Sequence, residues 1–153
     1  MSGPPFTLRR YTEADEAAAI ELWRRTWQLA YPDIDFTARI PWWRERWRNE
    51  LVAVAVITVA ERDGALLGYV TVDPSNGYLD QLLAAPEEWG SGLGAVLVDE
   101  AKRISPRGLD LLVNQTNARA IRFYDKQGFA ITGADVNPQS GAPLHKMSWR
   151  PAN

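Results

Sequence analysis

A mixed α/β fold on one sheet, with helices on both faces, is what this chain predicts, and three observations predict it. Segments of alternating or β-branched residues interleave with segments of helical period, in the order β-α-α-β-β-β-α-β-α-β-β. Glycine and proline clusters separate most of these segments. The length, 153 residues, fits a single domain over 1–153, with no repeat, low-complexity run or linker.

The elements follow in order. "FTLRRY" (Phe6 to Tyr11) alternates and reads as the first strand. Thr12 and Asp15 resemble a capping box, with Asp where Glu or Gln is usual, opening a helix that runs to about Tyr31. Ile20, Trp23, Trp27 and Ala30 form its apolar stripe, and Pro32 closes it. Pro41 sits at a first helical position, so a second helix is expected over Trp42 to Glu50. "VAVAVITVAE" is β-branched and reads as a buried strand. Asp63-Gly64 turns it into "LLGYVTV" (Leu66 to Val72), and "DPSNG" turns that into "YLDQLLA" (Tyr78 to Ala84). A third helix carries Leu93, Val96, Leu97 and Ala101 on one face. "LDLLV" (Leu109 to Val113) is a short strand, and a fourth helix runs from Asn117 to a C′ glycine at Gly128. "FAITGA" and "LHKMSW" close the sheet across "NPQSG".

Composition narrows the function. A net charge of -2 gives no sign of a nucleic-acid partner. The absence of cysteine removes disulfides, thiolate nucleophiles and cysteine-held zinc, and a lone histidine, His145, leaves no usual metal set. "MSGPPFTLRR" lacks the apolar stretch of a secretion signal, and no run is long enough to span a bilayer. A cytoplasmic protein away from the membrane is therefore expected.

The stretch "PEEWGSGLG" (Pro86 to Gly94) lies between a strand and a helix. Such a junction presents unpartnered N–H groups and partial positive charge to an anion, and glycine lets a phosphate approach the backbone. A tight turn holding nothing is the plain alternative. A Walker loop is excluded by the missing Gly-Lys-Ser/Thr. A dinucleotide loop fits Gly90, Gly92 and Ala95 in the looser G-x-G-x-x-A form, with Asp110 some twenty residues on. Against it, Asp110 falls early in its strand and too little chain follows for a doubly wound sheet.

A coenzyme A site is the third reading. "LLAAPEEWGSGLGAVLV" resembles the acyl-CoA motif of the GNAT family of N-acetyltransferases, Arg/Gln-x-x-Gly-x-Gly/Ala, with its glycines at Gly92 and Gly94. Trp89 stands where that motif has Arg or Gln. "VNQTNARAIRFYDKQGF" is similar to the family's downstream segment at Asn114, Asn117, Ala120, Phe123, Tyr124, Gly128 and Phe129. The resemblance runs from the first strand to Trp149. It implies a mostly antiparallel sheet of six to seven strands, flanked by about four helices.

The resemblance implies a reaction too: an acetyl group passes from acetyl-CoA to a small-molecule or peptide amine by direct attack in a ternary complex. The missing thiol agrees with that. A non-catalytic acyl-CoA sensor or interaction module is the alternative, and Tyr124 is what discriminates against it. The pantetheine arm is expected to pair with backbone near Leu82, Leu83 and Ala84. The segment Trp89, Gly90, Ser91, Gly92, Leu93, Gly94 and Ala95 is expected to cradle the pyrophosphate. Asn114, Asn117, Ala120, Phe123 and Tyr124 are implied cofactor contacts, with strand-end turn and N-cap as plainer roles for the two asparagines. Tyr124 is the expected general acid, because a phenol titrates near a thiol. Asp80 is the expected base, as the only carboxylate in "YLDQLLA"; Glu21 is a weaker one, and His145 reads as structural. Seven tryptophans are many, and five lie between Trp23 and Trp47. Trp27, Tyr31, Trp42 and Trp43 are the expected wall for the acceptor, with most of the aromatic residues in the core. The family often pairs as homodimers.

Overall fold

The computed structural model describes residues 6–152. The first five residues, part of the stretch read above for a leader, and residue 153 lie outside the described residues. The chain begins with β1 (Thr7–Arg10), a 3-10 turn and α1 (Glu16–Ala30). Then come α2 (Ile40–Arg46), β2 (Val56–Arg62), β3 (Ala65–Asp73) and β4 (Tyr78–Ala84). The second half holds α3 (Leu93–Ile104), β5 (Leu109–Asn114), α4 (Ala118–Lys126), β6 (Ala130–Val136) and β7 (Pro143–Trp149).

The expected order of elements holds, and the largest boundary shifts lie around the second helix. The second helix starts at Ile40, and after Arg46 the chain widens into a π turn over Trp47–Val52. Trp43, Trp47 and Leu51 are all buried at a strict spacing of four. An α-helix would rotate such a row out of the core, whereas i→i+5 bonding widens the turn and keeps it inward. The strand expected from Val52 therefore begins only at Val56. At the start of α1, the Thr12 N–H donates to Asp15 Oδ2 at 2.8 Å, the return half of the expected capping box.

Seven strands form one sheet in the order β1-β2-β3-β4-β5-β7-β6. Every pairing is antiparallel except β4 with β5. A doubly wound sheet is parallel, so the dinucleotide alternative falls. Asp110 is likewise engaged by Ser148 at 2.6 Å and Arg150 at 3.1 Å.

Two cores lie on opposite faces. Leu93, Leu97, Val98 and Ala101 of α3 join Tyr124 of α4 against one face. Ala19, Ile20, Leu22 and Trp23 of α1 join Trp43, Trp47 and Leu51 against the other. Trp47 anchors the second core: its indole N–H donates to Tyr11 Oη at 3.0 Å and its ring meets Tyr69 edge-on at 5.2 Å. Full burial of one tryptophan removes enough apolar surface to contribute about 4–6 kcal/mol of transfer free energy.

Candidate active site

The parallel pair opens almost as soon as it forms. β4 and β5 share one ladder position, Tyr78 opposite Asp110, plus the Asp110 N–H donating to Gly77 O at 3.0 Å. Beyond it the strands part. The Ala85 N–H is spent on Leu67 O at 2.7 Å, and Leu83 lies opposite Tyr69. By the alternation of an antiparallel ladder, Leu83 turns its backbone groups to β3, while Leu82 and Ala84 turn theirs to the gap. On the other bank, the Gln115 N–H donates to Pro143 O at 3.1 Å, which leaves Leu112 and Asn114 facing the gap. The expectation of three pairing residues on β4 is thus corrected to two. Leu83 instead sends its side chain into the second core.

A backbone cradle follows at the mouth of this gap. After a 3-10 turn over Pro86–Glu88, Gly90 and Gly92 take φ of 86° and 94°, and Gly92 caps α3. L residues rarely adopt that conformation, and no atom lies within 4 Å of where a Cβ would stand at either position. The space in front of the turn is therefore open to an anion. Among the described residues the N–H groups of Gly90, Gly92, Gly94 and Ala95 have no acceptor. Two of the expected donors are spent locally: the Ser91 N–H on Glu88 O at 3.0 Å, and the Leu93 N–H on Ser91 Oγ at 3.3 Å. Gly94 serves a different end, since a Cβ there would meet the Phe123 ring at 3.1 Å. Its absence lets α4 close on the start of α3. Trp89 donates its indole N–H to Ala84 O at 3.0 Å, linking the turn to the end of β4.

The fourth helix places the phenol. Asn117 caps it, its Oδ1 accepting the Ala120 N–H at 3.1 Å, so the plainer role is present. At the other end the Phe129 N–H donates to Tyr124 O at 3.0 Å and the Gly128 N–H to Asp125 O at 3.1 Å. This is a Schellman cap, with Gly128 at φ 95° in C′. Its accompanying hydrophobic contact is Phe129 on Tyr124, centroids 5.4 Å apart. Phe123 holds the other side of the ring at 5.2 Å. The Tyr124 core also contains Leu111 and Val113 of β5 and is covered by Leu82 and Ala84 of β4. The phenol therefore lies on the sheet face that α3 and α4 cover. Burial pushes it above its ordinary titration range, so it stays a proton donor at neutral pH. Among the described residues its hydroxyl has no hydrogen-bond partner, yet it is not fully enclosed.

On the opposite face the expectations meet two corrections. Asp80 accepts from Arg46 Nη2 at 2.8 and 3.1 Å, and from Gln81 Nε2 at 2.9 Å. A carboxylate so engaged is badly placed to take an amine proton, which tells against Asp80 as base. Nothing in sequence spacing pointed to Arg46. Glu21 is bound by Arg24 at 2.7 Å, which lowers its proton affinity, so it is no better. Trp43 leaves the acceptor wall: it is 3% exposed and stacks on Trp23 at 4.7 Å. Trp42 is 42% exposed, and Trp27 and Tyr31 are half-buried and stacked at 5.6 Å. Tyr31 reaches the end of β5, its Oη accepting from Asn114 Nδ2 at 2.9 Å. That bond joins the end of α1 to the end of β5. His145 lies in β7, opposite Val113 of β5 and Ala134 of β6.

Split sheet, backbone cradle and buried phenol define a class of enzyme that lays an extended thioester carrier between two strands and transfers its acyl group. The Acetyltransferase (GNAT) family matches residues 17–129. Peptidyl-lysine N-acetyltransferase YiaC of Escherichia coli is 30% identical over 145 residues, covering 93% of this chain and 95% of its own length. Peptidyl-lysine N-acetyltransferase YjaB of Salmonella typhimurium is 28% identical over 137 residues, covering 89% and 91%. The solved fold of the PaiA N-acetyltransferase from Thermoplasma acidophilum, in complex with coenzyme A, superposes with a TM-score of 0.74 at 22% identity, over 99% of this chain and 100% of that one. The chain belongs to the GNAT acetyltransferase family. It is an N-acetyltransferase that uses acetyl-CoA. Among the described residues no helix is long and apolar enough to cross a membrane.

Proposed function

We propose that residues 1–153 act as one cytoplasmic domain that acetylates a lysine ε-amine in a peptide or protein, by direct attack within a ternary complex. The observation that carries the transfer step is the unpartnered Tyr124 hydroxyl, on the sheet face whose core also takes in Leu111 and Val113 of β5 and is packed by Leu82 and Ala84 of β4, the strands that part. The acceptor class is supported by the two peptidyl-lysine acetyltransferases, which span nearly the whole chain. Half-buried Trp27 and Tyr31, with exposed Trp42, would offer an aromatic surface for the methylenes of a lysine stem.

Each residue then has a task. Backbone groups of Leu82 and Ala84 hold the pantetheine amides, leaving Ala84 O shared with Trp89, while free N–H groups from Gly90 to Ala95 hold the pyrophosphate. Asn114 orients the end of the arm. The substrate thioester supplies an activated acyl carbon and a stable thiolate leaving group. The amine lone pair forms the new C–N bond, the C–S bond breaks, and its electron pair stays on sulfur. Tyr124 donates a hydrogen bond from its O–H to that sulfur as charge develops there, and the released thiolate takes its proton from water. The excess amine proton passes to water, because the Asp80 oxygens are taken by Arg46 and Gln81. Asp80 serves as a positioning residue that holds Arg46 against the Trp43 ring, 5.2 Å from its centroid. With no dedicated base, kcat/KM for a lysine peptide should rise with pH toward the amine's own pKa, about 10.4.

The test is a panel of lysine peptides, free amino acids, polyamines and aminoglycosides with acetyl-CoA, reading thiol release and the acetylated product by mass. Turnover of a lysine peptide above the small amines is the expected result. Turnover confined to a small amine would replace the acceptor class. Binding of acetyl-CoA with no turnover anywhere would overturn the catalytic assignment.

A further inference from the structure

Trp89 breaks the family pattern at the position where an Arg or Gln is usual, and the structure brings a cation to it from elsewhere. The guanidinium of Arg119, in the first turn of α4, lies over the Trp89 ring at 3.8 Å from its centroid. The indole is itself fixed, its N–H donating to Ala84 O at 3.0 Å. Trp89 is 40% exposed and Arg119 is exposed, so the stacked pair faces solvent at the entrance to the glycine turn.

The local electrostatics isolate this charge. Both carboxylates of the turn are drawn away by other cations: Glu87 by Arg25 at 2.7 Å, and Glu88 by Arg62 at 2.6 Å. Arg119 makes no ion pair among the described residues, whereas nine of the chain's other arginines do. Arg122 follows three residues on, also exposed and unpaired among the described residues, but off the indole. A guanidinium stacked on an aromatic face keeps its N–H edge free for an oxyanion, and the stacking limits the freedom it would lose on binding.

We propose that Arg119, seated on Trp89, supplies the side-chain cation for a phosphate of coenzyme A, in place of the residue missing from the glycine motif. The proposal rests on the glycine turn being the pyrophosphate seat. The carrier offers two anionic groups, the pyrophosphate and the 3′-phosphate, and the same guanidinium chemistry would suit either. Trp89 is a positioning residue, acting through Arg119.

Calorimetry on the full chain tests this with coenzyme A and with 3′-dephospho-coenzyme A. Arg119→Gln should weaken coenzyme A about tenfold and flatten the salt dependence of its Kd. Trp89→Leu should weaken it in the same direction, and the double variant should fall short of the product of the two. Trp89→Arg introduced into Arg119→Gln should restore binding, a readout that a merely structural tryptophan would not give. An Arg119 effect that vanishes with the dephospho compound assigns the 3′-phosphate; one that persists assigns the pyrophosphate. Arg119→Gln with unchanged affinity for both compounds, while Gly92→Val still weakens them, overturns the role of Arg119 alone. Unchanged binding in Gly92→Val overturns the seat on which it rests.

Discussion

Tyr124 owes its setting to a glycine four residues on. The Schellman cap at Gly128 folds Phe129 back against the phenol ring, and Phe123 closes the other side. Tyr124→Phe keeps that packing and removes only the hydroxyl, which bonds to nothing among the described residues. The expected outcome is a fall in kcat of about a hundredfold with little change in acetyl-CoA affinity. Equal losses in both would remove it from the leaving-group step. Because burial raises this phenol, it stays protonated through the mildly alkaline range, so any alkaline loss of activity should persist unaltered in Tyr124→Phe. The helix that carries Tyr124 and its C′ glycine were legible in sequence because they are local facts, while Tyr124 itself was singled out through the family resemblance. The partner of Asp80 was not: Arg46 lies 34 residues away and meets it only once α2 packs on the sheet. Of the adjacent pair Trp42 and Trp43, it is Trp43 that turns inward, one turn before the buried Trp47, a spacing that the sequence does carry.

At the scale of the element, the glycine turn joins two functions that periodicity cannot separate. It stops β4, and it opens α3 with donors left free. Gly92 at φ 94° faces open space, so a valine there meets no neighbour but is strained by about 1–3 kcal/mol and fills the cradle. Gly92→Val should therefore weaken coenzyme A at least tenfold while far-UV circular dichroism stays native. Loss of the native spectrum would transfer the effect to folding. β4 matched its reading at both ends, Tyr78 and Ala84, because turn residues bound it. The π turn did not, since a row spaced by four fits a helix of either kind until Trp47 is seen to need full burial. The split itself had no local sign. Two apolar strands look the same whether they pair along their length or, as here, at Tyr78 and Asp110 alone; the pantetheine pairing near Leu82 to Ala84 was expected, and that through the family resemblance.

At the scale of the molecule, the sheet carries a core on each face, and a few polar ties hold the first helical layer to it. Asn114 to Tyr31 and Asp80 to Arg46 are two of these. The third lies at the start of α1, where Asp15 accepts from Arg9 Nη1 and Nη2, both at 2.8 Å, and from the Thr12 N–H. Arg9 also reaches Glu61 of β2 at 3.1 Å, so one guanidinium joins β1, the turn and the next strand. Hydrogen bonding from Arg9, largest of the causes, pulls the Asp15 carboxyl down from 3.8 to about 2. A depressed carboxyl stabilises the fold above its unfolded value and loses that contribution as pH falls through the folded one. The tie should thus act fully at neutral pH and fade between about pH 4 and pH 2. The shift corresponds to stability on the order of 2 kcal/mol. Asp15→Asn should lose about that much in urea unfolding at pH 7, and the gap from the parent protein should narrow by pH 2. A gap that stays constant down to pH 2 would mean the contribution of Asp15 is shape and neutral hydrogen bonding, with its charge adding nothing.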